Sequence, residues 1–65
     1  MNINKMIDML LIKLSYNKSV FYLEKRNYKE GKTYKSYLIK IGNNTKEFRS
    51  KKDLLLYLSN HKEVT

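Results

Sequence analysis

The sequence predicts an α+β fold of order α-β-β-β-α, a three-stranded antiparallel β-meander packed against helices. Three observations carry that expectation. Ser19 to Ile41 contains two runs rich in Val, Phe, Tyr, Thr and Ile about a short polar connection with Gly31, a hairpin signal. Gly42-Asn43-Asn44 is a second turn signal, ahead of a short run that ends at Phe48. Apolar residues recur at helical spacing on both flanks: Ile3, Ile7, Leu10, Leu11 and Leu14 before the hairpin, Leu54, Leu55 and Leu58 after it.

The first helix is expected over Asn4 to Ser15. Met6 sits at the edge of its apolar stripe, whereas Met9 and Ile12 fall outside it. Those two residues are the candidate interface with a second copy, giving a homodimer. Asn17-Lys18-Ser19 connects this helix to the hairpin.

Register decides which strand residues face the core, because a slip of one residue exchanges the faces. A three-residue loop, Lys29-Glu30-Gly31, places glycine at the left-handed position of a bulged turn. Leu23 then lies opposite Tyr37, and Phe21 opposite Ile39. The inward face reads Phe21, Leu23, Tyr37, Ile39 and Ile41; the outward face reads Val20, Tyr22, Glu24, Arg26, Tyr34, Ser36, Leu38 and Lys40. A two-residue loop, Glu30-Gly31, instead buries Glu24 beside Tyr22 and exposes Phe21 and Leu23. An unpaired buried carboxylate is costly, so the three-residue loop is expected. At the second turn, a loop at Asn43-Asn44 sets Phe48 opposite Ile39 on the inward face, Glu47 beside Lys40 and Arg49 beside Leu38.

Ser50-Lys51-Lys52-Asp53 fits a capping pattern that opens the last helix, with Ser50 as N-cap. Asn60 or His61 should end it, Lys62 suits its negative end, and Glu63 to Thr65 should fray.

The chain of 65 residues makes one domain, 1-65. A domain of this size buries only about 60% of its unfolded surface. Cysteine is absent, so neither a disulfide nor a thiolate metal site can reinforce it. Good helix packing or self-association must supply the remainder. Met9 to Ile12 is apolar but is bracketed by Asp8 and Lys13, so a signal peptide is not expected. No stretch approaches the ~20 apolar residues of a membrane span. The expected location is cytoplasmic, with no membrane partner.

Catalysis finds little support. His61 is the single histidine, and Asp8, Glu24, Glu30, Glu47, Asp53 and Glu63 are scattered along the chain. No nucleophilic pair or metal set is visible, so neither enzyme activity nor a cofactor is expected.

Binding is better supported. Fourteen Lys and Arg against six Asp and Glu give a formal net charge of +8, which attracts anions. Lysine far outnumbers arginine, Asn, Ile and Tyr are abundant, and Ala is absent. That is the bias of an AT-rich genome, which accounts for part of the lysine excess. Arg26, Lys40 and Arg49 are expected on the outward sheet face with Tyr22, Tyr34 and Ser36, and Lys29, Lys32 and Lys46 on the adjoining turns. Cations suit phosphates, and tyrosines stack on bases or bond to the backbone. Lys51 and Lys52 open the last helix, where positive charge opposes the helix dipole but strengthens phosphate binding.

The layout resembles the double-stranded-RNA-binding domain, including the Ser50-Lys51-Lys52 opening of the last helix, where that family carries phosphate-binding lysines. The family's glycine-proline and histidine loop is absent here, and leucines replace the alanines of its last helix. Phe21 to Leu58 also resembles the integrase-type DNA-binding domain, three strands backed by one helix. That resemblance implies major-groove contact through the sheet face, here Arg26, Ser36, Lys40 and Arg49. The resulting expectation is a nucleic-acid-binding regulator or accessory factor of a phage or mobile element, with duplex DNA favoured over RNA. The alternative is a small inhibitor, such as an anti-CRISPR or other anti-defence factor, that docks on an acidic surface of a host protein.

Overall fold

A computed structural model of the protein describes residues 2–61, so the expectations for Lys62 and for Glu63 to Thr65 lie outside the described residues. The elements run α1 (Ile3–Ser15), β1 (Val20–Lys29), β2 (Lys32–Ile41), β3 (Asn44–Phe48) and α2 (Lys51–Ser59). The expected α-β-β-β-α order is present, with antiparallel strands in the spatial order β1-β2-β3.

Each helix begins at a side-chain cap. Asn2 stays extended and its Oδ1 accepts the Lys5 N–H at 2.9 Å. Ser50 does the same for α2, its Oγ accepting the Asp53 N–H at 3.1 Å, while Asp53 sets a negative charge in the first turn. α1 ends where the N–H groups of Asn17 and Lys18 both turn back to the Leu14 carbonyl. Asn60 closes α2, its Nδ2 donating to the Leu56 carbonyl at 3.0 Å.

The helices cover one face of the sheet. Ile7 and Leu14 of α1, Tyr37, Ile39 and Ile41 of β2, and Leu54 and Leu58 of α2 form the buried core. Ile3, Leu10, Leu11, Val20, Tyr22, Phe48, Leu55 and Tyr57 pack around it. Among the described residues nothing covers the other face of the sheet, and the principal extents of 40 × 29 × 15 Å reflect this flat shape.

The register of the first hairpin corrects the expected one. Val20 pairs with Ile41, Tyr22 with Ile39 and Glu24 with Tyr37, closing at Lys29 opposite Lys32. The loop is therefore the two residues Glu30 and Gly31, at φ 52 and φ 78, the two left-handed positions of a type I′ turn. Val20 and Tyr22 point toward the helices, while Phe21 and Leu23 lie on the open face, 54% and 44% exposed. The objection to this register was an unpaired buried carboxylate, and Glu24 is neither. It is exposed, accepts the Tyr22 hydroxyl at 3.2 Å, and lies 3.6 Å from the Lys51 ammonium.

The second turn also moves. Ile41 pairs with Asn44, so the loop is Gly42 and Asn43, with Gly42 at φ 60. Phe48 lies opposite Tyr37 rather than Ile39, and Glu47 opposite Leu38 rather than Lys40. This shift is by two residues, so Phe48 keeps its inward orientation and packs against the core as expected.

β3 pairs only with Tyr37 to Ile41. Beyond that point β1 and β2 continue as a two-stranded ribbon out to the Glu30-Gly31 turn, reaching roughly 20 Å past the end of β3.

Candidate nucleic-acid interface

Two like-charge pairs stand directly across the ribbon, Arg26 opposite Lys35 and Lys29 opposite Lys32. All four residues are exposed. Like charges at opposed positions destabilise a strand pair by up to about 1 kcal/mol. Alternation puts Lys29 and Lys32 on the open face and Arg26 and Lys35 on the other, so both sides of the ribbon are basic. Tyr28, 74% exposed, adds an aromatic ring near the tip.

The open face inward of the tip is ordered by crossing contacts. Arg49 stacks its guanidinium on the Tyr34 ring, 3.8 Å from the centroid. Asn27 donates from Nδ2 to the Ser36 Oγ at 2.9 Å. Lys25 on β1 reaches Glu47 on β3 at 3.7 Å, a pair that crosses β2 between Ser36 and Leu38. With both side chains 40% or more exposed, that pair contributes at most about 1 kcal/mol. At the far end Leu23 lies opposite Leu38, and Phe21 opposite the exposed Lys40. This face is therefore basic and aromatic near the ribbon and apolar near its base.

The structure brings only part of the sequence-derived set together. Tyr34, Lys40 and Arg49 share the open face, with Lys32 at its tip. Ser36 lies on that face too, but it is fully buried beneath its neighbours and satisfied by Asn27, so it offers nothing to a ligand. Tyr22, Arg26 and Lys46 are on the opposite face, because the two-residue turn reverses β1 and because Lys46 pairs with Ile39. Arg26 still belongs to the ribbon, where both faces are accessible. Tyr22 is a packing residue: burial, reinforced by the Glu24 carboxylate, raises its pKa well above the ordinary tyrosine value.

Lys51 and Lys52 part company. Lys51 donates to Asn4 Oδ1 at 2.6 Å, pairs with Glu24 and lies 5.8 Å from the Tyr37 ring centroid, so it ties α1, β1 and α2 together. These contacts offset its unfavourable position at the start of a helix. Lys52 is exposed. Met9 and Ile12 on α1 are 46% and 54% exposed, and Met9 lines a groove of about 200 Å³ together with Met6, Leu10, Lys13 and Ser59.

Sequence reasoning missed Lys25 and Lys35, and it placed Phe21 and Leu23 in the core. Both follow from the loop length: with a loop of two residues, Lys35 opposes Arg26 and Leu23 opposes Leu38.

Among the described residues no group of three or more His, Cys, Asp or Glu could hold a metal ion, and no helix is long and apolar enough to cross a membrane. No family model, curated protein or solved structure matches the chain.

Proposed function

We propose that the protein is a non-enzymatic nucleic-acid-binding module that presents its β1–β2 ribbon to duplex DNA. The observation that carries this reading is the pairing of Arg26 with Lys35 and of Lys29 with Lys32 on a ribbon with no third strand beside it among the described residues. A polyanion relieves both repulsions at once, which gives a locally unfavourable arrangement a use. Strands ~4.8 Å apart with their side chains make a ribbon that fits a major groove ~12 Å wide. Arg49, Lys40 and Tyr34 extend the contact onto the open face. The setting that fits is a small cytoplasmic regulator or accessory factor of a phage or mobile element. Two copies joined through the exposed Met9 and Ile12 would set two ribbons on one duplex and gain avidity.

Lys35→Glu and Lys32→Glu test the reading, because each converts a repulsive pair into an attractive one. The folded state should gain about 0.2–1 kcal/mol while duplex affinity falls. Neutralising five phosphates through Arg26, Lys29, Lys32, Lys35 and Arg49 predicts a slope of about −4.5 for log affinity against log salt. Failure of the protein to bind any nucleic acid at low salt overturns the proposal.

A second reading is favoured by one specific feature. Phe21, Leu23 and Leu38 form an apolar patch on the open face, and such a patch suits a protein surface. In that case the protein is an inhibitor docked on an acidic host protein, captured from lysate after nuclease treatment, and Leu23→Asp abolishes capture.

A further inference from the structure

We infer that Tyr34 and Arg49 form a preorganised clamp for a phosphate group, completed by Lys29 and Lys32. Arg49 follows β3 directly and precedes the α2 cap, so both of its neighbours are held. Its guanidinium lies over the Tyr34 ring, 3.8 Å from the centroid, a contact that restrains the side chain and uses none of its N–H donors in an ion pair. The nearest acid on this face in sequence, Glu47, pairs with Lys25, and among the described residues no carboxylate forms an ion pair with Arg49. A groove of about 440 Å³ opens beside the pair, lined by Lys29, Glu30, Lys32, Thr33, Tyr34 and Arg49. Three cations against one carboxylate leave that lining at +2.

A flat, weakly hydrated fork restrained against an aromatic ring suits bidentate recognition of a tetrahedral oxyanion, because less side-chain freedom remains to be lost on binding. The lysines at the ribbon tip add charge on the far side of the groove. The ligand is a phosphoryl group, supplied either by a nucleic-acid backbone or as free phosphate. The backbone source alone rests on the nucleic-acid reading above; the clamp itself rests on the geometry.

The test uses the full chain, isotopically labelled so that the Arg49 Nε–H is resolved, and titrates inorganic phosphate against a chloride control. The clamp predicts a saturable shift of that resonance with phosphate only. Arg49→Lys, which keeps the charge, should weaken phosphate binding about tenfold, and Tyr34→Leu should weaken it while leaving the fold intact by thermal unfolding. Lys5→Gln, on α1 and outside the groove, should leave the shift unchanged. Absence of a saturable shift overturns the clamp, whatever the duplex does. The duplex arm then identifies the source. A tenfold loss in Arg49→Lys with an unchanged salt slope supports a clamp on backbone phosphate. Unchanged duplex affinity supports a clamp on free phosphate. Loss of duplex binding in Lys35→Glu does not bear on the phosphate shift, so the two proposals fail separately.

Discussion

The Tyr22 hydroxyl donates to the Glu24 carboxylate at 3.2 Å, two residues further along the same face of β1. Burial and this carboxylate raise the Tyr22 pKa above its ordinary value of 10.0. A raised folded-state pKa means that the folded protein holds this proton more tightly than the unfolded chain does. The associated stability is complete below about pH 10 and is lost as pH climbs above it. Denaturant midpoints measured from neutral to strongly alkaline pH should therefore fall more steeply for the native sequence than for Tyr22→Phe. In a tyrosinate absorbance titration, Tyr22→Phe should remove a component that ionises above the ordinary tyrosine range.

Core and open-face leucines should separate sharply. Leu58 is fully buried, and Leu58→Ala should cost about 2–5 kcal/mol, enough to unfold so small a domain. Leu23 is 44% exposed, and Leu23→Ser should change stability by no more than about 0.5 kcal/mol. Chemical denaturation of the pair checks the hairpin register directly, since a core Leu23 would respond like Leu58.

The two lysines that open α2 should also differ. Lys51→Ala removes the hydrogen bond to Asn4 and the ion pair to Glu24, and should lower stability by about 1 kcal/mol. Lys52→Ala should remain within about 0.5 kcal/mol of the native value when both variants are compared by chemical denaturation.

Glu30 occupies a left-handed conformation, φ 52, that side chains other than glycine, asparagine and aspartate seldom adopt. Glu30→Asn should stabilise the protein by about 0.5–1 kcal/mol. It also removes the one carboxylate that lines the Arg49 groove, so phosphate affinity should rise in the same variant.

Helices and strand order were legible because their signals are local. The cap at Ser50, the stripes through Leu14 and Leu58, and glycines at both turns each point one way. Orientation of β1 was not legible from pattern. Val20 and Tyr22 compete with Phe21 and Leu23 for the core, so the run is apolar on both faces and alternation is silent. The deciding feature was whether a glutamate would accept a left-handed turn position, and whether Glu24 would find partners. Its partners are Tyr22 and Lys51, the second of them 27 positions further along the chain. For the candidate site, β2 and Arg49 were assigned to the correct face, since both competing registers leave them there. Phe21 was misplaced because its face depends wholly on the register of β1, and that register also decides which β1 residue opposes Lys35.

The Glu30-Gly31 turn makes this chain unusually sensitive to small insertions. In most hairpins an added loop residue lengthens the tip and leaves the strands alone. Here one residue added ahead of Glu30 would enter β1 if the two-residue turn is kept, slipping β1 by one position against β2, and β1 carries apolar side chains ready to serve in either orientation. Phe21 and Leu23 would turn toward the helices, and Val20 and Tyr22 toward solvent. A single-codon insertion at the hairpin tip would thus redecorate an entire surface without altering any residue on it.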